Sequence, residues 1–439
     1  MRRHETPAAV ALVLARHSPR TIKRILDPSV GNGVLLEPFF RRFRGGDVEI
    51  IAIDSDSRPL KRVNQKFGAA YGKKLEIVQA DFLKWACQPQ RGCERGCFDC
   101  IVMNPPYAAR KHRWRSFIEL GRKVGGDGVH KAGPVEAGFV LAAISLLRPG
   151  GRLLAILPAS LVSAPCLGWV REFMVARGSI RHVHELPRFT FPGIEGRIYL
   201  VVYEKGKQEK QSLLLNHDLI EPEKMLIEWA ADPSQRLDFG YHDSIAKLSG
   251  LSKNRLLAWQ RLSALATIWR GTERTPGVPS TVIHTSNYRD GFWRGCATPG
   301  SGESVATAKG IKRGDILVKR VSRNCARSFG LADKIHGALV SDCVLVMRPR
   351  CNVSSIQILF AIRCLMALDF GPAMLERGTG ASYLAQSELG ELEIPYALSN
   401  EYSRHFRLYR IAVRRRCLAL MQKIESEVTI RLLHGPHKD

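Results

Sequence analysis

The chain has 439 residues, 45% hydrophobic and 24% charged, an ordinary globular composition with room for two or three domains. No apolar run reaches the ~18–20 residues of a bilayer span, which excludes a membrane-spanning helix. The basic start Met1-Arg2-Arg3-His4-Glu5 lacks a signal-peptide pattern, so a cytoplasmic chain is expected. Sixty-six Lys and Arg against 41 Asp and Glu give +25, spread over both halves. A folded chain that is basic throughout is expected to meet a polyanion, because release of phosphate counterions drives such association.

In chain order, residues 7–17 read as a helix, 22–26 as a strand, and 34–43 as a helix after a Gly-containing turn. Further short apolar runs at 50–54, 75–78, 100–103 and 152–157 are separated by helical spacers. That alternation predicts an α/β fold, a Rossmann-like, doubly wound parallel sheet. Residues 197–204 predict a late strand at an antiparallel edge, and the polar Lys/Gln run after it predicts a linker over 206–215. The expected domains are therefore 1–205, with the α/β sheet, and 216–439. Beyond the linker, strand-like segments at 315–321 and 343–347 lie between Gly- and Ser-rich turns, and 403–433 reads as one long basic helix. The second domain is expected to be mixed α+β.

Eleven cysteines without a signal sequence read as reduced thiols. Cys87, Cys93, Cys97 and Cys100 have irregular spacing, and Cys100 falls inside an apolar run, so no metal site is expected.

The first chemical signal is Asp27-Pro28-Ser29-Val30-Gly31-Asn32-Gly33, a strand end, an acid and a glycine turn. Gly31 and Gly33 let backbone approach a ligand, but the dinucleotide fingerprint Gly-x-Gly-x-x-Gly is incomplete. An acid before the turn suits a cationic amino group, or else it caps the next helix. Asp54 ends the second strand, where an acid can accept both hydroxyls of a ribose. Asp81 follows the third strand, and with Phe82 it could bond an adenine amino group and pack its ring. Directly after the fourth strand comes Asn104-Pro105-Pro106-Tyr107. The prolines hold the backbone extended, and the Asn104 carboxamide oxygen with the Pro105 carbonyl can accept from one exocyclic NH2, aiming its lone pair at an electrophile. Tyr107 offers a stacking face for a planar base. A proline-stiffened loop without chemistry is the plain alternative.

With these residues in this order, the chain resembles the gamma-class N6-adenine DNA methyltransferases (TaqI-like), from Glu5-Thr6-Pro7 through Leu146-Leu147-Arg148-Pro149-Gly150-Gly151 to the segment 189–193. The resemblance implies that Thr6, Asp27, Ser29, Gly31, Gly33, Asp54, Asp81 and Phe82 bind S-adenosylmethionine. It implies that Asn104, Pro105, Pro106 and Tyr107 hold a flipped adenine, with Phe191, ahead of Phe189, as a second stacking aromatic. The basic stretch 110–130 matches loosely and reads as a loop over DNA. The second half resembles the specificity subunits of type I restriction systems through residues 311–318 and 389–395. Lys319, Arg320, Arg323, Asn324 and Arg327 are its candidate DNA contacts, to bases or to phosphates. The expected partner is double-stranded DNA and the expected state a monomer. Any cognate restriction endonuclease would be a separate chain, since no acidic pair with a lysine is arranged for metal-assisted cleavage. Two other readings are an RNA or protein-glutamine methyltransferase using the same four residues, and a non-catalytic DNA-binding specificity module.

Overall fold

The computed structural model describes residues 5–43, 48–88, 96–107, 115–116, 132–192, 196–229, 232–252, 258–272, 282–295, 310–332, 335, 338–378 and 381–434. The chain divides into two compact units, with the main boundary between Phe239 and Gly240.

The first unit is built on one sheet. Its strands are β1 (Arg24–Asp27), β2 (Glu49–Asp54), β3 (Leu75–Gln79), β4 (Phe98–Met103), β5 (Leu147–Pro158), β6 (Gly178–Glu185), β7 (Ile198–Lys205), β8 (Gln211–Leu215) and β9 (Lys224–Glu228). They lie in the order β9-β8-β6-β7-β5-β4-β1-β2-β3. β1 pairs in parallel with both β2 and β4, so strand order reverses there and opens a crevice at the carboxyl ends of the strands.

Side chains alternate between the two faces. Leu26, Ile51, Ile53, Ile101 and Met103 bury against α4 (Phe82–Cys87), α5 (Val135–Leu146) and α6 (Gly168–Arg177). Ile25, Ile50, Ala52, Cys100 and Val102 bury on the opposite face, against α1 (Ala8–Ala15), α2 (Glu37–Arg42) and α3 (Ser57–Val63). Strands covered on both faces read as continuous apolar runs, which is why the sequence announces them clearly. The buried Asp99 carboxylate accepts from the backbone N–H of Lys23 and Arg24 at 2.7 and 2.8 Å, tying the start of β1 to β4.

Two expectations change here. β7 is not an edge strand: it runs antiparallel between β5 and β6, and Ile198 through Tyr203 are all buried. Nor is 206–215 a linker throughout. Residues 211–215 form β8, parallel to β6, because Ser212 and Leu214 point into the protein and Trp229 donates its indole N–H to Ser212 Oγ at 2.7 Å. A chain cut after residue 205 would lose two strands of this sheet. Cys100 is buried in β4, Cys87 and Cys97 are half-buried, and Cys93 lies outside the described residues.

The second unit carries an antiparallel sheet of β10 (Ala266–Arg270), β11 (Ile316–Lys319), β12 (Gly330–Leu331) and β13 (Val344–Pro349), ordered β10-β13-β11-β12. Its core includes Ile316, Val318, Leu345 and Met347 with α7 (Ser355–Ala367). The expected single C-terminal helix is two: α8 (Ser403–Arg414) and α9 (Leu418–His434). Arg416 takes φ +52°, the N–H of Cys417 reaches the Ala412 carbonyl at 2.9 Å, and that of Arg416 reaches Val413 at 3.1 Å. This is a Schellman stop formed without the usual glycine. α9 then folds back along α8, so that Tyr409 donates to Glu425 at 3.0 Å. Glu425 also takes two bonds from the buried Arg363 guanidinium of α7, at 2.6 and 3.2 Å. Among the described residues no helix is long and apolar enough to cross a membrane.

Candidate active site

The strand ends of the first unit open onto one cavity of about 1310 Å³. Its wall includes Thr6, Ser29, Gly31, Asp54, Asp81, Phe82, the whole segment Asn104-Pro105-Pro106-Tyr107 and Phe191. Residues separated by more than a hundred positions thus face one space, as the strand reversal requires.

Asp27 closes β1 and is completely buried. Its Oδ1 accepts from the Ser29 N–H at 3.0 Å, whereas Oδ2 is buried without a hydrogen-bond partner. Burial, with Asp54 nearby, pushes its carboxyl up to about 8. Asp54 holds the turn from the other side, with Oδ2 accepting from Gly31 N–H at 3.1 Å and Oδ1 from Asp56 N–H at 2.9 Å. Gly31 and Gly33 take φ +52° and +78°, and a Cβ at Gly33 would stand 3.2 Å from Val63. The turn therefore needs glycine for conformation and for space. Asp81 caps α4, its Oδ1 accepting from Leu83 and Lys84 N–H at 3.0 and 3.2 Å. Phe82 is buried, with its ring 4.9 Å from that of Phe139.

Asn104 is oriented from three sides. Its amide nitrogen donates to Thr6 Oγ1 at 3.1 Å, and its backbone carbonyl accepts from Ser29 Oγ at 3.0 Å. Its carboxamide oxygen accepts from Tyr107 Oη at 3.1 Å, and that hydroxyl also lies 3.2 Å from the Ile156 carbonyl. Burial, with the Glu136 carboxylate nearby, raises the Tyr107 hydroxyl well above its ordinary range, so it stays protonated and donates. Thr6, read as a cofactor residue, thus has its hydroxyl on Asn104, and Ser29 spends its hydroxyl on the same loop. Phe191 is buried in the cavity wall, whereas Phe189 is exposed with φ +66° and is not part of that wall.

Sequence reading missed Val135 and Phe139, in the first turns of α5, which also line the cavity, Phe139 against Phe82. The dipeptide Gly133-Pro134 before an apolar run was the available signal, since proline favours a helix start. The basic stretch 110–130 lies outside the described residues, except for Arg115–Ser116.

In the second unit the five candidate DNA contacts differ. Arg323, Asn324 and Arg327 are exposed between β11 and β12. Lys319 is half-buried, with its ammonium 5.0 Å over the Tyr288 ring. Arg320 is turned inward: its Nε donates to the Asp342 carbonyl at 2.6 Å, with the Asp342 carboxylate 3.8 Å away. The structure thus commits Arg320 to a contact within the protein.

Comparison with known proteins places these features. The Type II methyltransferase M.BsuBI of Bacillus subtilis is 24% identical over 198 residues, covering 41% of this chain and 38% of that protein. M.HincII of Haemophilus influenzae, also a Type II methyltransferase, is 26% identical over 209 residues, covering 46% of this chain and 36% of its own. The chain thus spans under two-fifths of the length of these relatives. The fold of the Type IIL restriction-modification enzyme MmeI, solved in complex with DNA, superposes with a TM-score of 0.54 at 11% identity over 98% of this chain and 73% of that one. The family model described as N-6 DNA Methylase matches residues 4–225, half the chain and every residue placed around the cavity, and the chain belongs to that family.

Proposed function

We propose that the protein is a site-specific DNA methyltransferase that moves a methyl group from S-adenosylmethionine to N6 of an adenine flipped out of duplex DNA. The observation that carries this reading is a single cavity walled by Ser29, Asp54, Asp81 and a three-way-held Asn104, with the buried, half-satisfied Asp27 carboxylate behind the wall, bonded to the Ser29 N–H. S-adenosylmethionine supplies an activated methyl group on sulfur. Its amino group fits the partnerless Asp27 Oδ2, its ribose the Asp54 side of the turn, and its adenine the Asp81–Phe82 corner. Asn104 Oδ1 and the Pro105 carbonyl would accept from the target amine, while Tyr107 and Phe191 sandwich the base. Holding the amine in line supplies most of the rate, because no general base is needed before attack. The order of cofactor turn, Asn-Pro-Pro-Tyr and recognition unit supports a gamma-class assignment. Arg323, Asn324 and Arg327 are the proposed DNA contacts of the second unit. The relatives' names support a role as the modification enzyme of a restriction-modification system, with any nuclease on another chain.

Expression in a host lacking adenine methylation, followed by sequencing that detects N6-methyladenine, tests the whole reading. One motif around every modified base is expected. Unmodified DNA from cells holding folded, cofactor-binding protein would overturn it.

Asp27 gives a sharper test. A carboxyl raised from 3.8 to about 8 holds more protons folded than unfolded, so it erodes stability as pH climbs through that window. Asp27→Asn should therefore melt higher than the parent near pH 8 and alike near pH 4. The same variant should bind S-adenosylmethionine about 10–100-fold more weakly, the equivalent of a lost charge-assisted bond. In the parent, binding at neutral pH should release a proton, measurable as a buffer-dependent calorimetric enthalpy.

A further inference from the structure

Residues 402–424 contain six arginines and one lysine and no carboxylate. The structure arranges most of that charge on one face. At 100° per residue, Arg410, Arg414, Arg407, Arg404 and Arg415 fall in that order on a continuous arc of the α8 segment, and all five are exposed. None of the five makes an ion pair among the described residues. From Arg404 to Arg414 the helix rises ~15 Å, a length over which duplex DNA carries on the order of nine phosphate charges.

The opposite face of α8 is already occupied. Tyr409 and Ala412 are buried with Phe360 and Cys364 of α7 and Ile424 and Val428 of α9. An amphipathic basic helix that binds lipid inserts a broad apolar face, whereas here Tyr409 and Ala412 are spent inside the protein and Leu408 and Ile411 are the large apolar side chains left exposed on α8. What remains outward is an arc of five guanidinium groups with Ile411 within it and Leu408 at its edge, a predominantly cationic surface that suits a repeating row of phosphates.

We infer that α8 is a DNA-backbone clamp: the arc from Arg404 to Arg415 contacts phosphates and adds sequence-independent affinity to recognition made elsewhere. The inference rests on the DNA reading above and extends it to a surface outside both the cavity and the segment between β11 and β12.

The test compares the full-length parent with two fourfold variants, Arg404→Gln, Arg407→Gln, Arg410→Gln, Arg414→Gln and the corresponding Lys set. The probe is a fluorescent 30-base-pair duplex of random sequence, titrated from about 50 to 300 mM salt. Each phosphate contact contributes ~0.9 to the slope of log affinity against log salt. The Gln set should flatten that slope by about two or more and weaken binding at low salt at least tenfold. The Lys set should keep the slope, because charge is retained, and the methylated motif in cellular DNA should be the same for all three. An unchanged slope in the Gln set would overturn the clamp. So would an effect of the Gln set confined to phosphatidylserine vesicles or to the oligomeric state. A parent protein that binds no duplex at any salt would sink the DNA reading itself, a result separate from any difference between variants.

Discussion

Asn104→Ala should lower methylation by about 10²–10³ in rate while leaving S-adenosylmethionine affinity within about twofold. The loss is that of a preorganised acceptor aimed at the atom where charge develops. The side chain is preorganised because Thr6 holds its nitrogen and thereby fixes which end of the amide faces the base. Truncation to alanine removes the carboxamide but not the backbone carbonyl that accepts from Ser29, so the cofactor turn keeps its support. Single-turnover rates with calorimetry of cofactor binding decide the matter. A rate near that of the parent would take Asn104 out of the mechanism, and a joint loss of cofactor affinity would make it a structural residue of the turn.

The second large effect is on stability. Glu425→Ala should destabilise the second unit by about 3–5 kcal/mol, since it strands the Arg363 guanidinium in the interior and removes the acceptor of Tyr409. Urea unfolding followed by tryptophan fluorescence should show the corresponding midpoint falling. Replacing both partners, Arg363→Met with Glu425→Leu, should regain much of the loss, because a buried pair removed whole leaves no uncompensated charge. A Glu425→Ala midpoint equal to that of the parent would show that water reaches Arg363.

What could be read from the sequence follows from how each feature is encoded. The parallel strands around β1 are buried on both faces and appear as uninterrupted apolar runs, and the acids ending them sit at fixed offsets from those runs. The cavity residues Asp54, Asp81 and Asn104 are therefore legible in the sequence. β8 was hidden because its inward residues include Ser212, whose polarity is satisfied by distant partners, the Ile180 carbonyl and the indole N–H of Trp229. The break between α8 and α9 was invisible for a related reason. Arginine carries no intrinsic preference for the left-handed region, and the stop is imposed by α9 packing back against α8. Thr6 lines the cavity, but its hydroxyl bond to Asn104 was not legible, because that partner lies 98 residues away and local pattern says nothing about it.

The hydroxyl of Ser29 joins two places to which the proposed function assigns different molecules. It belongs to the turn that would receive the methyl donor, and it is bonded to the loop that would receive the acceptor. Any donor-induced shift of residues 27–33 alters the restraint on Asn104, and a base settling against Asn104 acts back on the turn through the same bond. Thermodynamic reciprocity makes the two effects equal in free energy. On the proposed function, loading of either molecule would therefore change the affinity of the protein for the other by the same factor, with the Ser29 hydroxyl as the bond through which the two sites are coupled.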